Sequence, residues 1–177
     1  MRASEKLLRF DDLAERHPID PAQLQGYANA AKVRLDAHHI SPVAFGVSCR
    51  GETVQYAVQW PPVDDMLRRS YNNQDDATRD GAYVMAFAAV EEVEGLVGIA
   101  RAETKTGADY YVAPPGSDPS DLENAFRLEV SGTDGIPATA RARLKQKQEQ
   151  TRRGTGTEPA IAAVVAFKAR EILLDWA

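Results

Sequence analysis

The chain of 177 residues contains one cysteine, Cys49, which excludes an internal disulfide and leaves too few thiols for a zinc cluster or a thiol relay. Such a lone cysteine in a strand-like stretch reads as a small buried hydrophobe and fits a reducing compartment. No apolar run approaches the roughly 20 residues needed to cross a bilayer, so no membrane partner is expected. The opening MRASEKLLRF is charged along its length and lacks the apolar stretch of a secretory signal, which points to a cytoplasmic location. Positive charge is also short: the net charge of −5 argues against a protein that coats nucleic acid nonspecifically, while leaving room for a local basic patch. There is no P-loop, dinucleotide fingerprint or Gly-x-Ser-x-Gly elbow, so nucleotide-driven and serine-hydrolase chemistries drop out. The histidines, His17, His38 and His39, show no metal-ligand spacing with Cys49 or with the acids.

What is present is enough apolar content, 44%, to bury one substantial core. The spacing predicts a helix over 20–37, capped by Asp20 with Pro21 in its first turn. Strands at 43–48 and 53–60 flank Cys49-Arg-Gly-Glu52 and make a hairpin, stopped by Pro61-Pro62. Trp60, Tyr56 and Phe45 are expected to pack that hairpin rather than to stack on bases. A polar connector follows, in which a helix can begin after Asn72-Asn73. We take a soft boundary here: 1–75 as an N-terminal helix and hairpin extension packed on a core formed by 76–177. From Gly81 to Glu94 the chain is apolar nearly all round, as in a helix pressed into a core, with Gly95 as its stop. Strands are then expected at 96–103, 108–112 and 126–131, a helix at 137–153, a buried strand at 160–168 and a tail at 171–177.

Alternation over Phe126-Arg-Leu-Glu-Val-Ser131 turns Phe126, Leu128 and Val130 to one side and Arg127, Glu129 and Ser131 to the other. The preceding strand carries a lone acid, Asp109, and the helix before both ends in Glu91, Glu92 and Glu94. Small alanines on the stripe of Met85, Ala88 and Ala89 favour Glu92 as the inward acid, although the register among the three is open. Carboxylates that converge in a core call for a cation or hydrogen bonds to compensate them, and hard cations such as Mg²⁺ bind through carboxylate oxygens. Each acid also has an ordinary reading: Asp109 as a turn cap, Glu129 as the partner of Arg127 or Arg141, Glu92 as a solvated last turn.

The order helix, strand, strand, strand, helix, strand over 81–167, with Asp109 in the second strand and Glu129-Val-Ser131 in the third, resembles the core of the PD-(D/E)XK nuclease-like superfamily. The resemblance implies an α+β fold with a restriction-endonuclease-like αβββαβ core around a mixed central sheet, preceded here by the N-terminal helix and hairpin. It implies Mg²⁺ held by Glu92, Asp109 and Glu129, and phosphodiester hydrolysis of DNA or RNA, with a lysine orienting the nucleophile. This chain departs from the pattern at Ser131, which stands where the family has lysine. A neutral hydroxyl supports a water but supplies no positive charge. The following helix, Arg141-Ala-Arg-Leu-Lys-Gln-Lys147, offers Lys145 and Lys147 instead. If Leu144 faces the core, Lys147 falls on the same side and is the better candidate.

That helix is basic in an acidic chain, and Arg141, Arg143 and Arg152 are the candidate phosphate-backbone contacts. Two other readings remain. One is a catalytically inactive relative that keeps the fold as a binding or interaction subunit of a bacterial complex, with a protein partner on the N-terminal hairpin. The other is an α+β protein whose acids are scattered over its surface.

Overall fold

A computed structural model describes residues 5–177. Asp20 accepts a hydrogen bond from the Gln23 N–H at 2.9 Å and Pro21 occupies the first turn, so α1 (Pro21–His38) begins where its capping residues predict. The hairpin β1 (Val43–Cys49) and β2 (Glu52–Val58) closes through Arg50 and Gly51 alone, at φ 52° and 82°. Two successive positive φ values give a turn whose twist matches that of the strands, tighter than the four-residue connection expected. The connector contains one short helix, α2 (Asp65–Ser70).

The central helix is longer than its apolar stretch. Asn73 accepts from the Asp76 N–H at 3.1 Å, and α3 (Gln74–Glu94) therefore starts about two turns before Gly81. It stops at Gly95, whose φ of 68° is the left-handed cap expected. Then come β3 (Val97–Arg101), β4 (Tyr110–Ala113), β5 (Phe126–Thr133), α4 (Pro137–Arg153), β6 (Ala160–Ala166) and β7 (Glu171–Trp176).

All seven strands form one mixed sheet in the order β2-β1-β7-β6-β5-β4-β3. The fold is α+β. Helices α1 and α3 cover one face, where Leu128 and Val130 of β5 join the core with Met85, Phe87 and Val90. Helix α4 covers the other, over Val164, Ala166 and Leu173. Tyr56, Phe45 and Trp60 are buried in the core. No described helix is long and apolar enough to cross a membrane.

The expected tail at 171–177 is corrected: it is β7, set in the middle of the sheet, parallel to β1 and antiparallel to β6. Its alternation, with Ile172 and Leu174 buried, marks it as a strand. The ladder to β6 also satisfies peptide groups that a loose tail would leave unpaired in the interior. Through β7 the N-terminal hairpin is hydrogen-bonded into the same sheet, so no break in it marks residue 75. The helices close the same join: a Cβ added at Gly81 would lie 2.8 Å from the Ala31 backbone, so α1 and α3 touch chain to chain.

Candidate active site

The site is built where β5 outruns its neighbour. Along β5 the odd-numbered peptides face β6, as the Arg127 N–H to Pro159 carbonyl bond (2.8 Å) and the Phe167 N–H to Thr133 carbonyl bond (3.0 Å) fix. Even-numbered peptides face β4, where the Leu128 carbonyl accepts the Asp109 N–H at 2.8 Å. But β4 begins at Tyr110, opposite Leu128. From Val130 onward that edge of β5 has no strand beside it, and the Val130 N–H donates instead to Asp109 Oδ2 at 2.8 Å. Asp109 thus does the work of a strand partner with its side chain.

A cavity of about 580 Å³ opens along this free edge, walled by the first turns of α3 (Asp75, Thr78, Tyr83) and by Arg143 and Lys147 of α4. Helix α3 runs antiparallel to β5 and presses on it at Gly132, where an added Cβ would come within 2.3 Å of the Thr78 carbonyl oxygen. Only glycine admits that approach.

Four expected residues line this cavity, Asp109, Ser131, Arg143 and Lys147, and a fifth, Glu129, is bonded to Lys147. Lys147 Nζ donates to Glu129 Oε1 at 2.6 Å, and Glu129 is only 9% exposed. Burial, reinforced by the neighbouring Asp109 carboxylate, holds Glu129 above the usual carboxylate range, and Lys147 pulls the other way without cancelling it. Asp109 Oδ1 accepts from the Tyr83 hydroxyl at 3.3 Å. The Arg101 guanidinium lies 3.9 Å from the same oxygen and stacks over the Tyr83 and Tyr110 rings at 5.3 and 4.8 Å. Burial raises the Tyr83 hydroxyl above its ordinary value, so it stays a donor. Ser131 also lines the cavity, its Oγ accepting from Arg143 Nη1 at 3.2 Å.

The structure corrects four other placements. Glu92 is exposed and faces Tyr56 of β2, whose hydroxyl its charge helps to raise. It lies nine residues beyond Tyr83, about 14 Å along the helix at 1.5 Å per residue, because α3 points its acidic last turn at the opposite end of the sheet. Glu91 and Glu94 are there too: Glu91 bonds Arg16 (2.6 Å) and His17 (2.5 Å), and Glu94 bonds Trp176 (3.2 Å). Lys145 is exposed and outside the cavity, the helical period having turned it away from Lys147. Arg141 lines a separate groove against the β1–β2 hairpin, and exposed Arg152 sits near the other end of α4. Of the expected phosphate contacts, Arg143 alone reaches the cavity.

Sequence reasoning missed Asp75 and Tyr83. The Asn73 cap was the available signal, since a helix begun there carries both residues in the half that reaches the end of β5. Among the described residues no cluster of three or more histidine, cysteine, aspartate or glutamate side chains has metal-holding geometry. The pair Asp109 and Glu129 still suits a hard cation: two adjacent oxygen donors repel one another, and the Val130 peptide faces the same free edge. Mg²⁺ keeps several waters and takes one or two carboxylates plus substrate oxygens. Known protein families, curated proteins and solved structures were all compared with this chain, and none matches.

Proposed function

We propose that this protein is a Mg²⁺-dependent phosphodiesterase acting on nucleic acid, built on a restriction-endonuclease-like core. The observation that carries the proposal is the bond of Lys147, which lines an open polar cavity together with Asp109, to the buried carboxylate of Glu129. The element order α3-β3-β4-β5-α4-β6 supports the αβββαβ core.

Asp109 and Glu129 would hold the ion, which when bound polarises a phosphodiester and lowers the pKa of water. The residues of the chain do the rest. Tyr83 and the Val130 N–H fix both oxygens of Asp109, so that carboxylate is oriented before any ligand arrives. Lys147, delivered from α4, supplies at Glu129 the positive charge that Ser131 lacks. Its amine orients a water or stabilises charge on a phosphoryl oxygen. Arg143, held by Ser131, stands in reach of a phosphate entering the cavity.

The test is release of fragments from end-labelled DNA and RNA oligonucleotides with Mg²⁺, against EDTA and against the Glu129→Ala and Lys147→Ala variants. Hydrolysis that needs the metal and disappears in both variants is expected. Activity retained in Glu129→Ala overturns the proposal.

One observation favours a second reading, a catalytically inactive binding subunit: among the described residues no third acid joins Asp109 and Glu129. On that reading the α4-side face of the hairpin, with Ala44, Ser48 and Thr53 at its surface, would take a protein partner. Calorimetric titration with Mg²⁺ and Mn²⁺ separates the two, since the inactive module predicts no heat of binding and the phosphodiesterase predicts heat lost in Asp109→Asn.

A further inference from the structure

Strand β5 and helix α4 run antiparallel and are joined at three matching levels. Arg143 Nη1 meets Ser131 Oγ at 3.2 Å, Lys147 Nζ meets Glu129 Oε1 at 2.6 Å, and Arg127 Nη1 donates to the Thr151 carbonyl at 3.0 Å. Two residues of strand advance about 6.6 Å and four of helix about 6.0 Å, so steps of two along β5 and four along α4 keep pace. The third level differs from the others. Arg127 and Thr151 are 7% and 1% exposed, behind the cavity. Arg127 Nη1 also donates to the Thr106 carbonyl at 2.7 Å, and its Nε to the Glu158 carbonyl at 2.8 Å. Thr106 stands three residues before Asp109. Thr151 stands one helical turn beyond Lys147, with its hydroxyl on the Lys147 carbonyl at 2.7 Å. One side chain, two residues from Glu129 on β5, is thus bonded into the segments that deliver Asp109 and Lys147.

We infer that Arg127 is a positioning residue for this site: its guanidinium sets how far α4 and the segment before β4 stand from β5, and with that the spacing of Lys147 and Asp109 about Glu129. Lys147 cannot set that spacing for itself, because a flexible four-carbon stem reaches its acceptor from several helix positions. A guanidinium can, because it is planar and its donors point in fixed directions. All three of its bonds end on backbone carbonyls, so what it holds is the course of the chain. The Thr151 carbonyl lies in the last turn of α4, where the helix dipole favours a cation. The chain closes tightly around the group: a Cβ added at Gly156 would lie 2.5 Å from Arg127 Cδ, and one at Gly154 would lie 2.4 Å from the Thr106 carbonyl oxygen.

The use of these groups rests on the phosphodiesterase reading, whereas their spacing is tested without nucleic acid. Hydrogen exchange followed by NMR reads two local probes: the Lys147 ammonium, held by Glu129, and the Val130 N–H, held by Asp109 Oδ2. The buried Leu35 amide of α1 serves as the reference. In Arg127→Lys, which keeps the charge and loses the fork, both probes should exchange at least about tenfold faster relative to Leu35, the scale of one hydrogen bond opened locally. Gly156→Ala keeps the guanidinium but crowds its stem; it should show the same pattern, and it decides the matter if Arg127→Lys does not fold. In an active enzyme Arg127→Lys should lower kcat about 100-fold with KM little changed, the cost of misplacing a reacting group by about 1 Å. Unchanged protection of Lys147 and Val130 in the folded variant overturns the inference, and so does a loss shared equally by Leu35, which is what a merely structural role gives. Protection lost at both probes in a protein that cleaves no nucleic acid upholds the role of Arg127 and removes the phosphodiesterase reading. Hydrolysis with protection unchanged removes the role of Arg127 alone.

Discussion

The two ends of α3 both carry acids, and they treat them in opposite ways. At the C-terminal end Glu91 receives hydrogen bonds from Arg16 and from buried His17, while Glu94 receives them from Trp176 and, at 3.4 Å, the Cys49 thiol. His17 uses its other ring nitrogen to accept the Gly98 N–H at 2.9 Å. These bonds tie the N-terminal segment to the edge strand β3. Near the N-terminal end, Asp109 lines a cavity with Lys147, and Lys147 is bonded to buried Glu129, whose carboxyl the Asp109 charge helps to raise. Acids that are each matched by donors fasten chain segments together. At the cavity each carboxylate also has a cation, Lys147 on Glu129 and Arg101 near Asp109, but the Arg101 contact is long at 3.9 Å and Asp109 borders open space.

The largest effect should come from the pair at the cavity. Lys147→Ala is expected to lower Mg²⁺-dependent hydrolysis about 100-fold or more, the scale of one preorganised charge at a reacting phosphate, measured by initial rates at saturating metal. The junction between helix and strand comes next. Gly132→Ala forces a methyl against the Thr78 carbonyl and should cost about 3 kcal/mol of stability, read by urea unfolding.

At the matched end, Glu91→Ala leaves the Arg16 and His17 donors without their acceptor and should cost about 2 kcal/mol. His17 adds a pH signature. Burial holds it below its ordinary value of 6.5, so the unfolded chain takes up a proton that the folded one refuses. Stability should fall as pH drops below that value, and His17→Gln should flatten the fall.

The contrast is sharpest in Glu129→Gln. Since its folded-state carboxyl is raised from 4.5, ionisation weakens the fold as pH climbs above that value. The variant should therefore match or exceed the wild type in melting temperature near pH 7, with the gain shrinking toward pH 4, while metal binding is lost. A variant that melts well below the wild type at pH 7 would place Glu129 among the fastening acids. Glu92→Ala should change stability by no more than about 0.5 kcal/mol and leave metal affinity alone, as an exposed side chain far from the cavity would.

Local signals carried much of the fold. Pro137 and Gly154 bracket α4 at the bounds read from sequence, and Asp20, Gly95 and the alternation of β5 place their elements to within a residue or two. Those signals act through capping, left-handed backbone and side-chain period, which neighbouring residues decide among themselves. The strand at 171–176 was misread because its apolar run is short and lies at the end of the chain. What makes it a strand is the pair of ladders to β1 and β6, from residues far off in sequence.

For the site, the sequence determined the chemistry on offer. Period two puts Glu129 and Ser131 on one face of β5, and period 3.6 puts Lys147 on the core side of α4 and Lys145 outside it. Tertiary structure alone decided which acids meet. The direction of α3 along β5 sends Glu92 to one end of the sheet and Asp75 to the other, and the late start of β4, at Tyr110 opposite Leu128, leaves the gap that Asp109 fills. Neither is encoded in any short stretch of chain, because each follows from how whole elements pack and how far neighbouring strands extend.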